Sequence, residues 1–136
     1  MAYSDMTKEK NKQLVLDYYN NIILQGKIEL LDEYIGETYI QHNPQTPNGK
    51  QAVVDFVKAF VIPNVDENNN VKPLGEIVRV IAENNLVAVH VKSASWLGPN
   101  GSAIVDIYRI ENGKLVEHWD VIQPVPEESL NDNTMF

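Results

Sequence analysis

The chain has 136 residues, of which 43% are hydrophobic and 22% are charged, the composition of an ordinary globular domain. It contains no cysteine, which excludes disulfide frameworks, thiol catalysis and thiolate metal sites. The 11 basic and 19 acidic residues give a net charge of −8, so we expect neither nucleic acid nor an anionic membrane as a partner. The sequence shows no secretory apolar run and no stretch of about 18 apolar residues, and we therefore expect a cytoplasmic protein.

The first part of the sequence predicts three helices. Thr7 is a candidate N-cap for the first helix, whose apolar residues follow two neighbouring helical rows and which should end at Gly26. A short second helix is predicted over Lys27–Tyr34. A third is predicted over Lys50–Val61, where apolar residues recur at helical spacing until Pro63 closes it.

The second part of the sequence predicts strands. A short extended piece, Tyr39–Pro44, lies between the second and third helices, and after Val71 the hydrophobic period changes to two. Four strands are predicted, at residues 74–82, 86–96, 102–110 and 115–123. Short connectors make them an antiparallel meander, so we expect an α+β fold with the helices on one face of a curved sheet. Prolines stop the ladder after residue 123, which predicts one domain over residues 1–123 and a tail over residues 124–136.

The last two predicted strands carry three ionisable residues on otherwise apolar faces. His118 and Asp120 are two residues apart and share a face with Val116 and Ile122, while Asp106 lies on the preceding strand. Ionisable groups in apolar surroundings are costly unless they are paired, and such places often host function. The alternative is a solvated ladder of charges on an outward face of the sheet.

The register of the final hairpin decides whether these residues meet. A two-residue turn at Asn112-Gly113 would place Asp106 opposite Trp119, whereas a three-residue connection with a bulge at the glycine would place it opposite His118. Both turns suit the sequence. We adopt the bulged form because it gathers Asp106, His118 and Asp120 on one face. The other face then carries Arg109, Glu117 and Trp119.

The remaining histidines allow two interpretations each. His42 precedes a proline and is either a turn-stabilising side chain or a catalytic one, and His90 is either an ordinary sheet residue or part of a pocket. Three histidines with nearby carboxylates could in principle ligate zinc. The sequence has no close helical histidine pair and no metal-loop spacing, so no metal is predicted.

Two motifs in this order of elements carry a family resemblance. The segments Gln41-His42-Asn43-Pro44 and Glu117-His118-Trp119-Asp120, together with the terminal Asn133-Thr134-Met135-Phe136, resemble the SnoaL-like branch of the nuclear transport factor 2-like superfamily. The similarity spans nearly the whole chain. It implies a cone-shaped half-barrel in which three helices and a curved, mainly antiparallel sheet enclose one apolar pocket, and it implies a homodimer.

The resemblance also implies a chemistry. Polyketide cyclases of this family close a ring by intramolecular aldol condensation without metal or cofactor, and their acid/base aspartate matches Asp120. Asp106 stands where the cyclases carry a histidine, and His118 or His42 would donate to the developing enolate. Burial in an apolar cone raises the pKa of such a base toward neutrality. Substrate contacts are expected from Tyr18, Tyr39, His90, Tyr108, Val116 and Ile122.

Several functions remain open from the sequence. The first is a cofactor-free cyclase-type enzyme acting on a small apolar molecule that bears a carbonyl group, and the second is a non-catalytic module that binds a small hydrophobic metabolite. A third, hydrolysis of the epoxide type, would need an Asp-Arg-Asp set using Arg79 or Arg109. Ketosteroid isomerase chemistry is disfavoured, because Asn43 stands where that enzyme has its base. The apolar end of the tail predicts either a frayed terminus or docking of Phe136 over the pocket mouth or onto a partner subunit.

Overall fold

A computed structural model describes residues 4–64, 66–68, 70, 72–94 and 98–136. Its first helix, α1, spans Asp5–Tyr18 and passes into a π-helical turn over Tyr19–Leu24. The prediction of Thr7 as the N-cap is wrong, because the hydroxyl of Ser4 accepts the backbone N–H of Thr7 at 3.1 Å. Serine and threonine are both favoured N-cap residues, with serine the better of the two, so the preference itself points to Ser4. The helical segment ends before Gly26, whose φ of +71° is the left-handed conformation expected there.

The second and third helical segments are shorter and more irregular than their patterns suggest. The second is a 3-10 turn, Ile28–Leu30, followed by α2 at Leu31–Tyr34. The third begins as α3 at Lys50–Phe56 and continues as a π turn over Val57–Val61. A 3-10 turn over Ile62–Asn64 follows, so helical structure runs through Pro63 and beyond the predicted end.

Five strands form one sheet in the order β1-β5-β4-β3-β2. They are β1 (Ile35–Gln41), β2 (Gly75–Glu83), β3 (Leu86–Ser93), β4 (Ser102–Glu111) and β5 (Lys114–Pro124). The predicted meander of four strands is confirmed in β2 to β5, although residues 95 and 96 of the predicted second strand lie outside the described residues. The strand β1 pairs with β5 in parallel, and the sequence indicated it only as a short extended piece. The predicted α+β fold is confirmed.

The final hairpin turns in two residues. Asn112 and Gly113 have φ values of +52° and +73°, and Ile110 pairs with Leu115, so the predicted bulge at Gly113 is wrong. A different bulge follows at once, because Arg109 pairs with Glu117 and Val116 is left over.

The bulge at Val116 places the side chains of β4 and β5 on the faces that the sequence predicts. Beyond it, Asp106 lies opposite Asp120 and Tyr108 lies opposite His118. Asp106, His118 and Asp120 therefore share the face toward the helices, as expected, although through a different irregularity. The opposite face carries Arg109, Glu117 and Trp119.

The core lies between the helices and this inner face of the sheet. Val15 and Ile22 from the first helical segment are fully buried, as are Val87 and Leu115 from the sheet. Tyr18 packs edge-on against Tyr108, with ring centroids 5.7 Å apart. The contact between Tyr18 and Tyr108 joins the first helix to β4, which carries Asp106, beside β5, which carries His118 and Asp120. No helix among the described residues is long and apolar enough to cross a membrane.

The outer face of the sheet is only partly covered. The side chains of Ile81, Val105 and Val121 are 61%, 40% and 71% exposed. Phe136 packs on this face, stacked on His90 with a centroid separation of 5.8 Å and with Lys92 Nζ 5.3 Å from its ring. The buried valines of β3 face the helices, so His90 and Lys92, which alternate with them, lie on the opposite side of the sheet from the cavity. The predicted docking of Phe136 over the pocket mouth is therefore wrong. Docking of Phe136 onto a partner subunit stays a prediction.

Two glycines with positive φ make a matched pair for testing how closely the backbone at Gly101 approaches the end of β3. At Gly101 (φ +77°) an added Cβ would collide with the carbonyl oxygen of Ser93, whereas at Gly113 (φ +73°) no heavy atom lies within 4 Å. We expect Gly113→Ala to cost about 1–2 kcal/mol for the left-handed backbone alone. Gly101→Ala should cost about 1–3 kcal/mol more, because the strand ends must move apart. Urea unfolding measures both, and equal losses would contradict the close approach at Gly101.

Candidate functional site

A cavity of about 390 Å³ lies between the helices and the inner face of the sheet. Most of its wall is apolar or aromatic, with residues from the first and third helical segments and from all five strands, of which β2 contributes only Gly75. Its ionisable groups come from β4 and β5, and its amides come from the end of β1 and the loop that follows. A mostly apolar cavity of this size with a few convergent polar groups is typical of a small-molecule site.

The centre of the polar cluster is a buried pair. His118 Nε2 lies 2.8 Å from Asp106 Oδ1, and both residues are less than 10% exposed. Aromatic rings flank the imidazole, since Tyr39 stacks on it at 6.4 Å and Tyr108 lies tilted at 4.9 Å between centroids. The ring of His118 is thus held in one orientation by hydrogen bonds at its edge and by packing on its faces.

Two amide side chains complete the cluster. Gln41 Oε1 lies 2.7 Å from His118 Nδ1, and Asn43 Nδ2 donates to Asp120 Oδ2 at 2.9 Å. The parallel pairing of β1 with β5, which sets Gln41 beside His118, makes both contacts possible. Sequence reasoning missed both amides. Their spacing of two residues, in step with Tyr39, was the available signal for a shared face.

The buried tyrosines supply hydroxyl groups. Burial is the main cause that raises the pKa of each of four phenols. These are Tyr18, Tyr19, Tyr39 and Tyr108. They therefore stay neutral over the whole physiological range. Tyr19, which the sequence reasoning missed, lines the same cavity as Asp106.

The two carboxyl groups differ in environment. Burial raises the pKa of Asp106, and this effect outweighs the hydrogen bonds from His118 and Tyr19 that favour its charged form. Asp120 is only half-buried and lines the cavity. The buried carboxyl of Asp106 therefore favours holding a proton, while the half-buried carboxyl of Asp120 is accessible to a molecule bound in the cavity.

His42 lies on the other side of the sheet, and its predicted role as a donor to an enolate is wrong. Its ring stacks on Trp119 with centroids 4.7 Å apart, and its Nε2 is 2.7 Å from Glu117 Oε2. Glu117 also accepts from Arg109 Nε at 2.7 Å. The hydrogen bonds from His42 and Arg109 hold the pKa of Glu117 below its ordinary value. Alternation along the strand explains the outcome, because the side chains on either side of His42 face inward.

Two of the six expected substrate contacts are also wrong. His90 lies on the outer face, where the guanidinium of Arg79 donates to its ring, and Val116 lies at the bulge beside Gly36. Neither residue lines the cavity, whereas the other four do. These four are Tyr18, Tyr39, Tyr108 and Ile122. Arg79 and Arg109 both lie outside the cavity, so an Asp-Arg-Asp hydrolase arrangement is not formed.

The same cluster is the place to look for a cation. Among the described residues, Asp106, His118 and Asp120 form one group of three whose ligand atoms lie within 4.8 Å of one another. Both ring nitrogens of His118 are, however, engaged in hydrogen bonds. A cation would have to displace the bond between His118 and Asp106, so the arrangement fits proton transfer better than chelation.

The raised pKa of Asp106 makes stability depend on pH. The folded protein binds this proton more tightly than the unfolded chain does, so stability falls as pH rises from the ordinary value of 3.8 through the raised pKa. We expect Asp106→Asn to gain stability relative to the wild type over that window, by about 1.4 kcal/mol for each unit of pKa difference. Urea unfolding of both proteins from about pH 4 to pH 8 gives the difference. A difference that does not change with pH would contradict the assignment.

Solved structures support the fold. A candidate polyketide cyclase of Bacillus cereus matches with a TM-score of 0.66 and 17% identity over 88% of this chain and 78% of that one. A candidate ketosteroid isomerase of Kribbella flavida matches with a TM-score of 0.66 and 18% identity over 91% and 85%. An NTF-2 like protein of Burkholderia xenovorans matches with a TM-score of 0.66 and 17% identity over 91% and 90%.

Comparison by sequence gives the family. No curated protein sequence matches the chain. The family model described as SnoaL-like polyketide cyclase matches residues 13–128, which is most of the chain and includes every residue of the polar cluster. The chain therefore belongs to the SnoaL-like polyketide cyclase family.

Proposed function

We propose that the protein is a cofactor-independent acid/base catalyst that closes a ring, by an aldol-type condensation, in a small neutral molecule bearing carbonyl groups. The observation that carries this proposal is the position of Asp120 at the wall of an apolar cavity, next to the buried pair of Asp106 and His118. The family supports the reaction class.

Asp120 is the base in this proposal. The amide of Asn43 holds its Oδ2 at 2.9 Å, and within the described part of the chain its Oδ1 makes no hydrogen bond. Oδ1 would take a proton from the carbon next to a carbonyl group. The resulting enolate carbon would bond to a second carbonyl carbon of the same molecule, whose oxygen then receives the proton.

The neighbouring groups stabilise the charge that develops. The phenol of Tyr18 and the amide nitrogens of Gln41 and Asn43 are donors at the wall of the same cavity. The enolate oxygen would accept from such groups in an enclosed site, where hydrogen bonds to a developing charge are worth more than they are in water.

The charge of the wall selects the substrate. Neither lysine nor arginine is among the described residues that line the cavity, whereas two aspartates are. A carboxylate buried there would have no cation to pair with, and burying an unpaired charge is strongly unfavourable. A neutral ester or ketone is therefore favoured over the corresponding free acid.

The substrate can be sought by thermal shift with pairs of compounds that differ only in being an ester or the free acid. We expect the hits among the esters and ketones, since a ligand at 100 times its Kd stabilises the folded protein by about 2.7 kcal/mol. Preferential stabilisation by the free acids would contradict the charge argument. A hit that is recovered chemically unchanged after long incubation would favour the alternative, a non-catalytic binding module.

For a compound that is consumed, Asp120→Asn tests the base. We expect turnover to fall by about 10²–10⁴-fold, the loss that follows removal of a positioned acid/base. His42→Gln is the matched control, because His42 lies on the opposite face of the sheet, and it should retain most of the activity. Unchanged turnover in the asparagine variant would refute the role of Asp120.

We propose in addition that two copies of the chain pair through the outer face of the sheet, where Ile81, Val105 and Val121 are exposed. Apolar patches on a sheet face often mark an interface. Val105→Glu combined with Val121→Glu should raise the dimer Kd by about tenfold or more, measured by light scattering across a dilution series. Lys58→Glu, on the helical side, is the control. A wild type that is monomeric at every concentration would refute the proposed dimer.

The cytoplasmic location expected from the sequence stays a prediction.

A further inference from the structure

The orientation of the side-chain amide of Gln41 is fixed by the backbone two residues further along the chain. The backbone N–H of Asn43 donates to Gln41 Oε1 at 3.0 Å. A backbone N–H cannot accept a hydrogen bond, so the atom that faces it must be the oxygen of the amide and not its nitrogen. This contact lies within one short segment and does not depend on the rest of the cluster.

The same oxygen faces the imidazole. Gln41 Oε1 is 2.7 Å from His118 Nδ1, and an amide oxygen can only accept. Nδ1 must therefore carry a hydrogen. The hydrogen on a histidine nitrogen is ordinarily inferred from a whole network of contacts, but here a single backbone N–H decides it.

We infer that Gln41 is a positioning residue that keeps a hydrogen on Nδ1 of His118, so that Nε2 of His118 and the carboxyl of Asp106 share a single proton. With Nδ1 protonated, the contact of 2.8 Å between Nε2 and Oδ1 needs one further hydrogen. That hydrogen lies on Asp106 when the imidazole is neutral and on Nε2 when it is cationic. The pair has zero net charge in both forms.

The neutral pair of Asp106 and His118 has a role in catalysis, and this role rests on the function proposed above. Because the pair is neutral, the cluster carries one negative charge, on Asp120, although it holds two carboxyl groups. A proton can move between Asp106 and His118 without changing that charge. Asp120 is thus not opposed by a second carboxylate when it acts as the base.

The position of the hydrogen can be measured on the resting protein without any substrate. Protein labelled with ¹⁵N at histidine, examined by long-range ¹⁵N–¹H correlation NMR at neutral pH, separates protonated from unprotonated ring nitrogens. His42→Gln and His90→Gln assign the other two histidines. We expect Nδ1 of His118 to be protonated. A neutral ring with hydrogen on Nε2 and none on Nδ1 would overturn the inference, whatever the fate of the proposed catalytic activity.

Variants at Gln41 show whether this residue keeps the hydrogen on Nδ1 of His118. Gln41→Met keeps the length of the side chain and removes the acceptor, so the Nδ1 hydrogen should exchange with water about tenfold faster. Gln41→Glu keeps the acceptor and should retain the protonated Nδ1, which a purely structural role would not require. Gln51→Met, on the exposed side of α3, is the control. If Gln41→Met does not fold, the wild-type and Gln41→Glu spectra decide, and an unprotonated Nδ1 in Gln41→Glu would overturn the inference.

Discussion

The parallel pairing of β1 with β5 is the constraint on which the site depends. The backbone N–H of His42 donates to the carbonyl oxygen of His118 at 2.9 Å, which sets the two segments side by side. Strand alternation then turns the side chains of Gln41 and Asn43 toward the cavity and that of His42 away from it. Without this pairing, His118 and Asp120 would lack the two amides that orient them. The site therefore forms where the first and last strands of the chain, β1 and β5, lie side by side, and not within one hairpin.

The sequence predicts the composition of the cluster better than the way in which it forms. Two aspartates and a histidine on otherwise apolar strand faces indicate a shared inner face, and they do share it. The turn chemistry of Asn112-Gly113 fits two registers, and the structure takes the shorter turn and corrects the register with a bulge at Val116. Val116, at that bulge, lies beside Gly36 of β1. A contact between residues so far apart in sequence cannot be inferred from local pattern.

The errors at His42 and His90 share one physical cause. Residue type marks a histidine as a chemical group, but the face on which it lies is set by the strand that carries it. His90 stands between the fully buried Val89 and Val91, so its side chain must point outward. His42 follows a strand that was predicted only as a short extended piece. Once β1 is recognised, the same alternation assigns Gln41 and Asn43 to the site.

The charge of the cluster follows from where this chain departs from the cyclases it resembles. An aspartate at position 106, where those enzymes carry a histidine, would by itself place a second negative charge in an apolar cavity beside Asp120. The raised pKa of Asp106 and its contact with His118 offset that charge. Asn43 acts in the same direction, because its amide donates to Asp120 where a carboxylate would repel it. Position 106 thus differs from the cyclases and position 43 from the ketosteroid isomerases, and the residues found at both positions reduce electrostatic repulsion at Asp120.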